Sequence, residues 1–502
     1  MAAAFTAHYV LKSKIETFLN SGLPEHIQST YDELHLNLLQ GSLSLRNVAV
    51  SLQNKGAEVA HTHIRTEAIS IEAISYWDYL FKEKIHVGAI KFEKPIITHH
   101  KNKVVAPKDT SAAKPLKLQR SILVDQLEIA NSTLLVLDGT KDSVSIFSRN
   151  LSFELAQIFI DQKTLQQPLP LQFADYSASC DSIFLKSGKY EHLEVSSFQL
   201  ANQLAIFEGL RFYTKYTRKG LSRVIAVERD HIDVHVEKTS VKGIDFGFMG
   251  EKFFAKSELI ALEKPSANVY RDKLLTDDRS IKPLYSKLLR ELPFDLAIDS
   301  MTIHDGFIKY TERVKADNSG GHISFSKFNA RISQVSNTYV APEKTRLDIN
   351  TTFMERTPLH VDWSFDVNDA NDRFAFSAKI GKLPAADMNQ FTEPNLLVRL
   401  KGEVKTTFLN IDASDYNANV AMKISYTDFK VVVLSEDRRK RNHLMCIISN
   451  LFIAKDSHKD GDIYRGAESK VTRDRTKSIF NYFWINAKQG LIDSLTGSGK
   501  NE

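Results

Sequence analysis

A chain of 502 residues with 42% hydrophobic content can bury a large core, and its length alone suggests about three compact domains. Its 66 Lys and Arg against 61 Asp and Glu leave a formal charge of +5, too small and diffuse for a chain that grips nucleic acid along its length. The excess is local, because residues 430–502 hold 14 Lys and Arg against 9 Asp and Glu, which makes the C-terminal end the one suited to an anionic surface. Two cysteines, Cys180 and Cys446, allow at most one bridge between them and exclude a disulfide framework or a thiolate zinc cluster.

Residues 1–11 are apolar and small until Lys12 and Lys14 interrupt them. About ten apolar residues fall short of the roughly twenty that a bilayer core requires. One reading is an amphipathic helix over residues 1–20, with Leu11, Ile15, Phe18 and Leu19 at helical spacing. The other is the tail of a membrane anchor that begins upstream of Met1.

The main signal starts after residue 30. Leu34, Leu36 and Leu38 alternate with polar residues, Gly41 breaks the run, and Leu43, Leu45, Val48, Val50 and Leu52 resume it, a hairpin with one apolar and one polar face. The rhythm returns at 64–74, 86–99, 127–137, 198–206, 303–310, 328–332, 347–353, 361–365, 374–380 and 420–433. Helical spacing is confined to 76–81, 274–292 and 478–495, while 101–120 and 313–321 read as exposed loops. The expected fold is mostly β: an elongated, curled antiparallel sheet shaped as a groove, with a few helices that include one at each terminus. Its parts are an N-terminal helix at 1–20, a first part of the groove at 30–262, a helical insertion at 263–293, a second part at 294–472 and an amphipathic helix at 473–498.

Three segments align as a candidate repeat. Val87 to Phe92 leads to Ile96, Val124 to Ile129 leads to Thr133, and Ile298 to Ile303 leads to Phe307. Each reads apolar, small or acidic, any, apolar, any, apolar, then four residues to the next strand. A chain of such units would grow by adding one to the next. A sheet with one apolar face must cover it with another sheet, with helices or with a ligand, and the helices are too few. About twenty-five strands at roughly 4.7 Å spacing would extend on the order of 110 Å.

Catalytic and metal patterns fail on geometry. His231 and His235 have the spacing of a zinc helix, but Ile232, Val234 and Val236 alternate as in a strand, which separates the imidazoles by about 13 Å. His61, His63, His99 and His100 lack flanking carboxylate or Cys patterns, and the run Asp456, Asp460, Asp462 misses two positions of a calcium loop. No phosphate loop or Gly-x-Ser-x-Gly elbow appears. The expectation is a protein that is not an enzyme and carries no cofactor or metal.

At the C-terminus Phe480, Phe483, Trp484, Ala487, Leu491 and Leu495 share a helical face. It reads either as a contact with a membrane or partner or as a cap on the last strands. The cluster Arg438, Arg439, Lys440 and Arg441 suits anionic headgroups, or simply a solvated turn.

The stretches 41–50, 69–74 and 85–97, with 298–310, resemble the strand modules of AsmA-like proteins. Residues 449–453, 477–484 and 490–492 are similar to the closing segment of such proteins from Bacteroidetes-type bacteria. The resemblance implies an inner-membrane anchor, a periplasmic body and a β-groove related to bridge-like lipid transfer proteins. It also implies a role in phospholipid transport or outer-membrane biogenesis. The start departs from the family, which has a full anchor before the position of Lys12. The implied partners are phospholipid or another acyl-chain lipid and a membrane surface. The groove lining is then expected at Ile90, Phe92, Leu127, Ile129, Met301 and Ile303. The alternative is a structural or assembly factor of the envelope with a closed sandwich and no lipid cargo.

Overall fold

Strands make up 59% of the described residues and helices 16%. The computed structural model describes residues 2–54, 59–105, 118–139, 142–434, 457 and 464–497, with side chains from residue 8 onward. Arg438, Arg439, Lys440, Arg441, Cys446, the acidic run 456–462 and most of the loop 101–120 lie outside the described residues. The chain forms two compact units, residues 1–210 with 247–252 and residues 211–246 with 253–502.

The first unit opens with α1 (Ala2–Thr17), which ends in a π turn at Phe18–Gly22. Ile15 and Leu19 pack on Leu34, Leu45 and Val48, while Phe18 is exposed. Strands β1 (Ile27–Thr30) and β2 (Glu33–Asn37) both pair antiparallel with β3 (Ser42–Gln53), which pairs in turn with β4 (Ala60–Ile74). Helix α2 (Tyr76–Phe81) leads into β5 (Lys84–Glu93) and β6 (Ile96–His100). Both are antiparallel to β4 and parallel to β7 (Ser121–Asp138). A long antiparallel pair joins β7 to β8 (Ser143–Ile160). Then follow β9 (Asp175–Cys180), β10 (Ser182–Lys186), β11 (Glu191–Val195), β12 (Ser197–Ala201) and β13 (Leu204–Thr214), again antiparallel.

The same plan recurs from β14 onward, in residues of the second unit except for 247–252, which belong to the first. After α3 (Arg218–Val224), β14 (Asp230–Lys242) is followed by β15 (Asp245–Met249), β16 (Lys252–Glu263) and β17 (Ser266–Asp272). Both β16 and β17 are antiparallel to β14. After α4 (Tyr285–Arg290) both run parallel to β18 (Asp295–Arg313), which pairs antiparallel with β19 (Gly321–Ser336). Strands β20 (Thr345–Phe353), β21 (Thr357–Phe365) and β22 (Phe374–Ile380) add antiparallel neighbours in turn. The short β23 (Leu383–Pro384) and α5 (Asn389–Leu396) precede β24 (Val398–Ala413), β25 (Asn417–Val433), β26 (Arg465–Thr472) and α6 (Ile479–Thr496).

The sheet is the expected curled, mostly β structure, and it is mixed: most neighbours are antiparallel, and β5 and β6 with β7, and β16 and β17 with β18, are parallel. A parallel neighbour needs a long crossover, and the two stretches expected to be a loop and an insertion supply them: residues 101–120 join β6 to β7, and residues 273–294 join β17 to β18. The expected helical insertion at 263–293 is mostly not helical. Its start is β17, and Pro283, which cannot donate a backbone hydrogen bond, stands two residues before the six-residue α4.

The crossovers place the aligned repeats side by side. Val87 lies opposite Val124, Ile90 opposite Leu127, Phe92 opposite Ile129 and Ile96 opposite Thr133. In the second unit the neighbour of Ile298 to Ile303 is β16, a copy that the sequence pattern had not revealed. The copies share the triplet Glu-Lys-Pro, at 93–95 and at 263–265. Lys94 and Lys264 both have φ 47°. The Lys94 amide donates to the Ala130 carbonyl at 2.9 Å and Pro95 accepts from the Thr133 amide at 2.8 Å. The Lys264 amide donates to His304 at 2.8 Å and Pro265 accepts from Phe307 at 2.7 Å.

Beyond β20 the second unit is sealed by helices. Trp363, Phe365 and Phe374 on β21 and β22, with Leu409, Ile411, Val420 and Met422 on β24 and β25, form a core with Leu284, Ile479 and Tyr482. Ile411 is 1% exposed. The helix approaches closely at Gly490, where an added Cβ would stand 3.2 Å from Met422 and Val420.

In the first unit α2 is fixed by polar contacts. The Ser75 hydroxyl accepts from the Asp78 amide at 3.2 Å, and the Asp78 carboxylate binds Lys82 at 2.8 Å and His86 at 2.7 Å, with Asp125 3.1 Å from the other His86 nitrogen. The hydrogen bond to Asp78, then that to Asp125, raises the His86 pKa above its ordinary 6.5.

Two outcomes are expected. Ile411→Ala should lower stability by about 2–5 kcal/mol in denaturant titration, the usual cost of a cavity at a fully buried aliphatic position, whereas Phe480→Ala, at an exposed position, should change it little. A raised His86 pKa means that the folded state holds the proton more tightly than the unfolded chain. That contribution is complete below 6.5 and is lost as pH rises through the raised value. An NMR titration should show His86 above 6.5 and Asp78→Asn should bring it down; a midpoint at or below 6.5 would mean that the clip does not form.

Candidate functional site

Register converts alternation into rows. Across the first unit Leu36, Leu43, Ile71, Ile90, Leu127, Leu155 and Tyr176 are successive cross-strand partners. So are Leu34, Leu45, Ile69, Phe92, Ile129, Phe153 and Ala178. Partners in register share a face, so these rows lie side by side on one surface. The residues between them form the opposite face: Ser44, Ser70, Lys91, Glu128, Glu154 and Ser177 are likewise partners, and there Lys91 pairs with Glu72 at 2.9 Å.

A line of left-handed residues keeps the rows aligned. Asn47, Lys94, Asn131 and Asn150 have φ between 47° and 53° in four strands of the first unit. Three are Asn, the residue after Gly that best tolerates this conformation. The β7–β8 register shifts around Asn131 and Asn150, whereas across Asn47 and Lys94 the neighbouring strands keep one pairing register, so the rows stay in step. Beyond the line a further row runs through Val50, Ile64, Ile97 and Leu134. Lys264, Asp305 and Lys327, at φ 47° to 50°, repeat the device in the second unit.

The expected lining residues fall on these rows. Ile90 and Leu127 belong to one, Phe92 and Ile129 to the next, and all four are half-buried. Around Val87, Val124, Leu155 and Ile158 the packed side chains Ile71, Ile74, Ile90, Ile122, Leu127 and Phe153 keep part of their surface open. In the second unit Met301 partners Ile260, Ile332 and, through Ile332, Leu347 and Trp363, while Ile303 partners Leu262 and Ala330. Met301 and Ile303 are half-buried, and the same rows end in the sealed core beneath α6.

The C-terminal residues divide. Phe483 packs on Phe376 with ring centroids 4.3 Å apart, and Leu491 lies against the same core. Phe480 and Trp484 are 64% and 41% exposed. The helix turns Ile479, Tyr482, Asn486 and Gly490 inward beside Phe483, Ala487, Leu491 and Leu495 of the face read in the sequence; Gly490 permits the close approach.

The histidines are engaged locally. His99 meets the Thr62 hydroxyl at 2.8 Å, His63 meets Ser51 at 3.1 Å and His231 meets the Tyr216 carbonyl at 2.8 Å. One group among the described residues has the spacing of metal ligands: Asp348, His360 and Asp362, with ligand atoms within 4.8 Å of one another. It went unread because the residues meet only through the β20–β21 register. Both His360 nitrogens are taken, by Asn350 and Asp362 at 3.0 Å each, and the group lies on the polar face of the sheet, so it reads as a cross-strand polar ladder.

No helix among the described residues is long and apolar enough to cross a membrane. No protein-family model matches the sequence, and no curated protein matches it.

Proposed function

We propose that the protein is a non-enzymatic lipid carrier whose apolar sheet face holds acyl chains, contributing to phospholipid transport or outer-membrane biogenesis in a bacterial envelope. The observation that carries this reading is the pair of apolar rows across the first unit, mostly half-buried, on one face of a sheet whose other face is polar. An apolar face of that width is costly in water at about 25 cal/mol per Å², and acyl chains match it in shape and chemistry. The resemblance of 41–50, 69–74, 85–97 and 298–310 to AsmA-like strand modules supports the same reading. With it comes a periplasmic body at the inner membrane.

The core beneath α6 favours a second, structural reading for the far end of the second unit, where the rows are filled by Trp363 and Phe483. Lipid is therefore assigned to the first unit's rows and to the region of Met301 and Ile303.

The protein purified without detergent should carry phospholipid detectable by mass spectrometry, and it should bind a fluorescent phospholipid. Leu127→Asp places a charge in the middle of a row and should weaken that binding by about tenfold or more. Glu154→Gln, on the polar face, should leave it unchanged. Absence of both co-purified lipid and lipid binding would leave the structural reading standing instead.

A further inference from the structure

Helix α2 is built inside out. Tyr76, Trp77, Tyr79, Leu80 and Phe81 are 43–68% exposed, and Asp78, the remaining residue of the helix, is the one whose side chain is mostly covered, at 13%. An ordinary surface helix packs its apolar residues inward and leaves its charges in water. Here the charged residue holds the helix down, through Lys82, His86 and the Ser75 cap, and the apolar residues face out. Arg120 adds a second tether, its guanidinium 4.2 Å from the Tyr79 ring and donating to the Tyr79 carbonyl. The Trp77 and Phe81 rings stand 4.3 Å apart, so the exposed groups form a continuous surface.

The same chemistry recurs at the equivalent place in the second copy of the fold. Helix α2 connects β4 to β5; the connection from β14 to β16 carries Phe246, Phe248 and Met249, 45–67% exposed. One connection is a helix and the other contains a strand. Two different backbones that present apolar side chains at one topological position point to a shared requirement rather than to an accident of packing.

Three features identify the occupant. Exposed side chains surround α2 instead of forming the single stripe that a protein groove reads, which suits a fluid surface. Tyr and Trp beside Lys82, Lys84 and Arg120 are the composition favoured at the headgroup boundary, where rings sit half in hydrocarbon and cations meet phosphate. The patch is also continuous with the apolar face, since α2 lies between Ile74 and Val87, which belong to the cluster with Val124 and Ile158.

We propose that α2 is a membrane-docking lip: it inserts its aromatic side chains into the headgroup boundary of a phospholipid bilayer and sets the adjoining end of the first unit's apolar face against the lipid. The proposal rests on the lipid-carrier reading for its purpose, but not for its test. The full-length protein is mixed with vesicles of phosphatidylcholine containing a minority of phosphatidylglycerol and separated by flotation. Uptake of a fluorescent lysophospholipid, supplied as monomer, is measured separately. Wild type should float with the vesicles. A variant combining Trp77→Ser, Leu80→Ser and Phe81→Ser should bind them at least about tenfold more weakly, with unchanged monomer uptake and thermal melting. Brominated lipid should quench the tryptophan fluorescence of wild type, and Trp77→Phe should remove most of that quenching; this arm serves even if the triple variant unfolds. Wild type that takes up monomers but does not float, a folded triple variant that floats equally well, or quenching unaffected by Trp77→Phe would each overturn the proposal. Failure of wild type to take up monomers while it still floats through α2 would overturn the carrier reading and leave the docking lip in place.

Discussion

Cross-strand register is the constraint on which this structure depends. A strand sends alternate side chains to opposite faces, and a slip of one residue transfers the whole apolar set to the wrong side. Here the register is held over strands that are interrupted midway, at Glu93-Lys94-Pro95 in one and at Asn131 in the next. From Phe92 to Ile97 and from Ile129 to Leu134 the count is odd in both strands, so an uninterrupted strand would place the members of each pair on opposite faces. The left-handed residues at Lys94 and Asn131 reverse the parity in both strands together. The amide of Lys94 bonded to Ala130 fixes the two breaks to each other, and the rows continue on one face.

The two units use this constraint to different ends. Both begin with an antiparallel strand, a pair divided at Glu-Lys-Pro, a crossover and a parallel partner. In the first unit the helix that packs on the rows is α1, against Leu34, Leu45 and Val48, and strands β4 to β8 keep their aliphatic face half-open. In the second, the strands added after β19 bring heavier side chains, Trp363, Phe365 and Phe374, under α4 and α6. Aromatic rings fill space that aliphatic rows leave vacant, and the edge-on contact of Trp363 with Phe483, centroids 5.2 Å apart, shows that the space is filled by this chain itself.

Much of this was legible in the sequence because alternation is a local property. The hairpin at Leu34 to Leu52 and the break in its alternation can both be read: the step from Leu45 to Val48 breaks the period of two where Asn47 takes φ 50°. The aligned segments at Val87 and Val124 proved to be register partners for the same reason. Direction and distant pairing were less accessible. Nothing local distinguishes a strand paired parallel from one paired antiparallel, so the crossovers looked like a loop and an insertion. The helical wheel at the C-terminus gave part of the buried face, since Phe483, Ala487, Leu491 and Leu495 pack on the sheet, but Gly490 and Asn486 also turn inward and Phe480 and Trp484 face out. The outward aromatics of α2 are visible as Tyr-Trp-Asp-Tyr-Leu-Phe, but their exposure depends on the contacts of Asp78 with His86 and Lys82, which no spacing rule anticipates.

The limit of the apolar path follows from the same geometry. Val420 and Met422 belong to the rows that pass through Ile411 and Leu409, and at that point Gly490 brings the backbone of α6 so near that an added methyl group would be crowded at 3.2 Å. An acyl chain is wider than the methyl group that this contact already crowds. Lipid lying along the rows near Met301 and Ile303 would therefore have to leave the face before β24. The helix that closes this core thus also ends its capacity to hold cargo, and the stability of that end and the openness of the rows before it are opposite consequences of where α6 docks.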